Sequence, residues 1–188
     1  GVATGLPLTP AAVQAATTIA TTPAAEVKQY ATLGRTGLKI ADISFGSSRL
    51  RDGEEDLVRH ALGRGINYFD TAESYTDGAA ERVLGNALKG HRADVVITTK
   101  STVGATESSD AIMRTLEESL RRLQTDYVDV FMNHAVNDIE RLQNPGWQEF
   151  IEKARRQGKI RFSGLSGHSG RLVECVDYAL DHDLVDVL

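Results

Sequence analysis

The sequence predicts an α/β fold of the (β/α)8 TIM-barrel type, incomplete, with about six of the eight strand–helix units present. Three observations predict it. Short β-rich runs alternate with helical patterns from residue 37 onward. Successive runs begin about 25 to 35 residues apart, the length of one strand–helix unit. Polar residues close several of the runs at the same end, as they do where parallel strands deliver side chains to one mouth.

The runs, in order, are LKIADISFG, INYFD, DVVITTK, YVDVFMNH, KIRFSGLS and LVDVL. Val, Ile, Leu and Phe fill them with few charges, as expected of parallel strands covered on both faces. Between them, apolar residues recur at helical spacing: Leu57, Val58, Ala61 and Leu62; Val83, Leu84, Ala87 and Leu88; Ile112, Leu116, Leu120 and Leu123; Leu172, Cys175, Val176, Ala179 and Leu180. Gly63 and Gly65 suit a helix stop before INYF, and Gly158 does the same before KIRF. A doubly wound sheet shares this rhythm but favours a glycine-rich fingerprint after its first strand, and FGSSRL is not G-x-G-x-x-G. Asp70 follows the second run, Lys100 ends the third, His134 ends the fourth and Ser166 follows the fifth, which favours the barrel.

Length and composition bound the function. The 188 residues are 41% hydrophobic, ordinary for one globular domain, and the formal net charge of −5 leaves no basic footprint for nucleic acid. The single cysteine, Cys175, excludes an internal disulfide and a multi-cysteine metal site within the chain, and its place on an apolar helix face reads as core. Residues 1–25 are rich in Ala, Thr and Pro and carry no charge, so 1–28 is read as a flexible leader or signal remnant and 29–188 as a partial barrel domain. Pro and Thr break that leader too often for a membrane span. The compartment is cytoplasmic, or periplasmic if the leader is an export remnant. Oligomeric state stays open.

Asp70, Tyr75, Lys100 and His134 form the candidate catalytic group. A free phenol with a pKa near ~10 is a poor proton shuttle at neutral pH, and a nearby ammonium favours the phenolate. Lys100 supplies that charge, and Asp70 at the neighbouring strand end holds it. His134 from the next strand hydrogen-bonds a substrate carbonyl.

The segments FDTAESY, GAAERVLGNAL, ITTK and YVDVFMNH, in that order, resemble successive motifs of the aldo-keto reductases, with that family's tetrad at Asp70, Tyr75, Lys100 and His134. The likeness runs from about residue 30 to the end, and ATLGRTGLKIADISFGSS resembles the hairpin and first strand with which such barrels begin. The resemblance implies reduction of an aldehyde or ketone with NADPH (NAD is possible), the hydride passing to the carbonyl carbon while Tyr75 delivers the proton. The small-molecule carbonyl compound is the expected partner. Gly46, Ser47, Asp70, Asn133 and Ser166 are the candidate cofactor-binding residues, Asn133 reading equally well as a strand-end hydrogen-bonding group.

Two departures stand out. Where the family has Gly-Val-Ser-Asn, the chain reads GLSGHSG, so Ser166 matches while Gly167 or His168 replaces the Asn. The chain also ends inside what would be a sixth strand, and six strands would leave two open edges, so a fragment of a longer protein, or a need for another chain, is expected.

Other residues have plainer readings. His168 is a loop or substrate-rim residue, with no second metal ligand suitably spaced. Trp147 packs a helix start or the pocket wall, and Glu81 is a helix-surface or N-terminal charge. Two competing functions remain: a Schiff-base lyase using Lys100, and a binding or regulatory module that kept the fold without turnover.

Overall fold

The computed structural model describes residue 1 and residues 26–188, so the proposed leader, apart from Gly1 and residues 26–28, lies outside the described residues. The first described elements are two short antiparallel strands, β1 (Tyr30–Thr32) and β2 (Lys39–Ala41). Their link turns back through Gly34 and Gly37, both at positive φ, where a residue without a Cβ is at ease. Leu33, Leu38 and Ile40 of this hairpin join Tyr68, Val96, Val130, Met132 and Phe162 in one apolar cluster. The hairpin thus packs against the opening residues of the strands of the main sheet.

That sheet is parallel and contains β3 (Phe45–Gly46), β4 (Tyr68–Asp70), β5 (Val96–Ser101), β6 (Val128–Asn133) and β7 (Ile160–Leu165), hydrogen-bonded in the order β3-β4-β5-β6-β7. Each new strand is added beside its predecessor. A doubly wound sheet would reverse direction at a switch point, so the sequential order identifies the barrel-type winding. The run LKIADISFG is not one strand but two, β2 and β3, parted at Asp42–Ser44. The run LVDVL contributes a single parallel bridge, Val187 to Gly164, beside β7. Among the described residues the barrel is therefore incomplete.

Among the described residues six α-helices accompany the sheet: α1 (Glu55–Gly63), α2 (Ala79–Ala87), α3 (Ser109–Leu123), α4 (Ile139–Leu142), α5 (Pro145–Arg156) and α6 (Leu172–Asp181). Three of their starts, those of α3, α4 and α5, carry a side-chain cap. Ser108 and Asp138 accept hydrogen bonds from Ala111 N and Arg141 N, and Asn144 caps α5 ahead of Pro145. Phe69, Ile97 and Phe131 project outward into the layer beneath α2, α3 and α5, where Val83, Leu84, Ile112, Leu116 and Phe150 meet them. Trp147 is 1% exposed and stacks on Phe131, which assigns it to the start of α5 and not to a pocket wall. Cys175 is buried as expected. Leu57 and Leu180, counted among the apolar faces in the sequence, are exposed: each lies at the edge of its helix's apolar arc, outside the part that meets the sheet. No helix among the described residues is long and apolar enough to cross a membrane.

Candidate active site

Side chains alternate across a strand, so residues two apart share a face. Asp70 is in step with Tyr68, Lys100 with Val96 and Thr98, and His134 with Val130 and Met132, residues whose apolar members line the inner face. The register pairs Asp70 with Thr98 and Lys100 with Met132, so the three polar side chains emerge side by side at the carboxyl ends of β4, β5 and β6. Lys100 is 5% exposed, and its three donors are all directed. Nζ lies 2.7 Å from Asp70 Oδ1, 2.7 Å from the Thr71 carbonyl and 3.4 Å from Tyr75 Oη. It also stands 4.9 Å from the centre of the Tyr75 ring. Asp70 is the more open partner, and its Oδ2 carries no hydrogen bond among the described residues.

Tyr75 reaches this group from a loop. Its backbone N–H closes a turn on Ala72 O, and the chain then passes through Thr76, Asp77 and Gly78, all at positive φ. A β-branched Thr in that region is uncommon and costs on the order of 1–3 kcal/mol. It is held there by Thr76 Oγ1, which donates to Leu50 O and accepts from Ala80 N. The Tyr75 ring meets His134 edge-on at 5.7 Å, and His134 meets His168 at 6.1 Å. Burial, then the Lys100 ammonium and His168, lower the pKa of His134, and the Asp70 carboxylate opposes them only in part. The imidazole is therefore neutral at pH 7 and offers one N–H and one lone pair.

The remaining candidates divide. Gly46 pairs with Asp70, and a Cβ added to it would meet nothing within 4 Å, so the mouth is open there. Ser47 is buried and its hydroxyl donates to the Asp70 carbonyl at 2.8 Å, tying β3 to the carboxyl end of β4. Ser166 is half-buried, its Oγ accepting from Ala135 N while its own proton stays available. Asn133 is not brought into the cluster. One residue before His134, it falls on the opposite face, where Oδ1 accepts from Val103 N and Arg141 Nη2 and Nδ2 has no partner. Its side chain thus follows the strand-end reading. Gly167 cannot be replaced cheaply, since a Cβ there would approach Leu172 Cδ1 at 2.3 Å and Val136 O at 2.9 Å. His168 is an exposed residue on the rim.

Three residues support the site in ways the sequence did not show, although Glu81 does stand in the first turn of α2 as its N-terminal reading has it. Glu81 is no surface charge: it is fully buried, accepting from Thr99 Oγ1 at 2.5 Å and from Arg122 Nε at 2.6 Å, and it binds α2 to β5 and α3. A buried carboxylate survives only with such partners, and Arg122 lies too far along the chain for local spacing to reveal it. Arg141 is 9% exposed and donates to the carbonyls of Val103, Ala135 and His134 and to Asn133 Oδ1, so one guanidinium fastens the loops after β5 and β6. Burial lowers its pKa. Glu73 lies between the tetrad loop and Thr102 N, and burial raises its pKa.

A sequence model of the Aldo/keto reductase family matches residues 42–187, which takes in every strand of the parallel sheet and all four residues of the cluster. The chain belongs to the aldo/keto reductase family. L-galactose dehydrogenase of Arabidopsis thaliana is 34% identical over 151 residues, 72% of this chain and 47% of that protein. An aldo/keto reductase from Klebsiella pneumoniae, solved in complex with NADP and acetate, superimposes with a TM-score of 0.70 at 32% identity, over 85% of this chain and 56% of that one. The holo form of aldo-keto reductase AKR11C1 from Bacillus halodurans gives a TM-score of 0.68 at 29% identity, over 85% and 55%. This aldo/keto reductase chain spans about half the length of the curated relatives it matches.

Nicotinamide chemistry fits the reacting end of the site. Its residues offer a hydroxyl with a free proton in Ser166, an unengaged carboxylate oxygen in Asp70, and backbone unobstructed at Gly46.

Proposed function

We propose that the chain carries the catalytic centre of an NADPH-dependent reductase of aldehydes or ketones, with residues 29–188 as its partial barrel domain. The observation that carries this reading is the single ammonium shared by a carboxylate and a phenol, Lys100 between Asp70 and Tyr75. Bound NADPH supplies the hydride. Tyr75 Oη donates the proton to the carbonyl oxygen, and the Lys100 ammonium 3.4 Å away stabilises the negative charge left on the phenol. Asp70 holds that ammonium in place. Neutral His134 uses its N–H to orient the carbonyl oxygen toward Tyr75. Ser166 and Asp70, with Gly46 giving access, are proposed to hold the cofactor's reacting end; Ser47 supports them by fixing the end of β4.

The complex of the Klebsiella pneumoniae relative with NADP supports the choice of cofactor, and NAD is the alternative. A Schiff-base role for Lys100 has no support, because an ammonium fixed by a carboxylate and a carbonyl is a poor nucleophile. The test is Tyr75→Phe in the protein, followed by NADPH oxidation with an aromatic aldehyde. Loss of about 100-fold or more in kcat with cofactor affinity retained is expected. Equal turnover with and without the hydroxyl overturns the assignment.

A further inference from the structure

The three residues that follow Tyr75, namely Thr76, Asp77 and Gly78, have φ of 49°, 53° and 77°. Glycine is at ease there, Asp is tolerated, and the β-branched Thr is the outlier. The surrounding structure therefore holds Thr76 against its own preference. Its hydroxyl makes the ties. Oγ1 donates to Leu50 O at 2.7 Å and accepts from Ala80 N at 3.1 Å. The second bond also satisfies a first-turn amide of α2, whose N-cap residue, Gly78, has no side chain to do so.

The Leu50 bond closes a circuit. Ser47 N and Ser47 Oγ both donate to the Asp70 carbonyl, at 3.0 and 2.8 Å, and Leu50 N donates to the Ser47 carbonyl at 2.9 Å. The turn from Ser47 to Leu50 thus leads from the end of β4 to Thr76, and Leu50 belongs to the core cluster against which Tyr75 packs. On the inner side Lys100 Nζ joins the same two residues, 2.7 Å from Asp70 Oδ1 and 3.4 Å from Tyr75 Oη. Carboxylate and phenol are therefore related twice, once through the ammonium and once through the loop after β3. The turn has little room to shift toward α3: a Cβ on Gly78 would meet Arg122 Cδ at 2.9 Å, and Glu81 fixes that arginine.

We propose that Thr76 is a positioning residue for Tyr75, its hydroxyl holding the left-handed turn that keeps the phenol within reach of the Lys100 ammonium. The proposal rests on the reductase reading of Tyr75. At 3.4 Å the contact between Nζ and Oη is already long for a hydrogen bond, so relaxation of the turn by about 1 Å breaks it. Misplacement of that size costs up to about 100-fold in turnover.

The test compares Thr76→Val, Thr76→Ser and Thr76→Gly with wild type, using NADPH and 4-nitrobenzaldehyde. Valine keeps the shape and loses both bonds, so kcat is expected to fall about tenfold or more while KM and NADPH affinity stay within about twofold. Serine keeps the hydroxyl and is expected to stay within about twofold of wild-type kcat. Glycine loses the same two bonds but holds a positive φ unaided, so it is expected to recover most of the kcat that valine loses. A residue that only capped α2 would lower the denaturation midpoint with valine and glycine alike and leave kcat unchanged. Wild-type kcat in the valine variant overturns the proposal, and so does an equal fall with valine and glycine. Thr76→Ala, which also keeps a Cβ and lacks the hydroxyl, carries the comparison if the valine variant does not fold. A second readout needs no turnover: among five tyrosines, the ring-carbon NMR signal of Tyr75 is assigned by its loss in Tyr75→Phe. That signal is expected to shift or split with valine and not with serine, and an unmoved signal overturns the proposal. If wild type does not reduce the aldehyde, the reductase reading of Tyr75 fails, and the NMR comparison alone decides whether Thr76 places the ring.

Discussion

The Lys100 ammonium lies 2.7 Å from Asp70 Oδ1, and the pair joins two neighbouring strand ends, one 5% exposed and the other open to the mouth. Taking the carboxylate away leaves a nearly buried cation with only the Thr71 carbonyl and the Tyr75 hydroxyl. Asp70→Asn is expected to lower stability by about 2 kcal/mol, less than a fully buried pair because Asp70 is partly solvated. The same change is expected to reduce kcat by at least about tenfold. Urea denaturation and initial rates check both, and an unaltered kcat would detach Asp70 from the proton-donor unit.

Glu81 and Arg122 separate folding from chemistry. Glu81→Ala strands the half-buried Arg122 guanidinium and the Thr99 hydroxyl, and a loss of about 3 kcal/mol is expected. Glu81→Gln keeps the shape and part of the bonding, so its loss should be smaller. Chemical denaturation midpoints of the two variants rank the effect.

Trp147 fills the layer between Phe131 and Phe150. Trp147→Ala should open a cavity there and destabilise by about 3–5 kcal/mol, with the slope of the denaturation curve preserved. Trp147→Phe should recover most of the loss.

The pH dependence of stability has a definite sign at His134. Its folded pKa lies below the ordinary 6.5 because burial and the Lys100 charge disfavour the imidazolium. As pH falls below 6.5, the unfolded chain binds a proton that the folded chain refuses, so this stabilising contribution is present above 6.5 and is lost as pH drops through the folded value. Glu73, with its pKa raised from 4.5 by burial, acts in the opposite sense, favouring the folded state below 4.5 and losing that effect as pH rises. Comparing wild type with His134→Gln cancels Glu73. The wild-type denaturation midpoint is expected to decline more steeply as pH falls below 6.5. Parallel profiles would contradict the buried-neutral assignment.

What the sequence determined by itself was everything governed by local period. The two-residue period of strands placed Asp70, Lys100 and His134 at successive strand ends, and the helical period located the buried faces of α2 and α3. The same period, applied one residue earlier, sets Asn133 on the face away from His134. Family motifs extended that reading to Tyr75, which sits in a loop without any period.

Only the tertiary structure decided who partners whom. Nothing near Glu81 in sequence marks Arg122, Leu57 looks as apolar as Val58, and Arg141 offers no sign that four oxygens from the end of β6 and the loops after β5 and β6 surround it. The physical reason is that desolvation belongs to a place and not to a residue. A carboxylate or guanidinium tolerates burial when distant segments converge to bond it, and that convergence is fixed by the winding of the sheet.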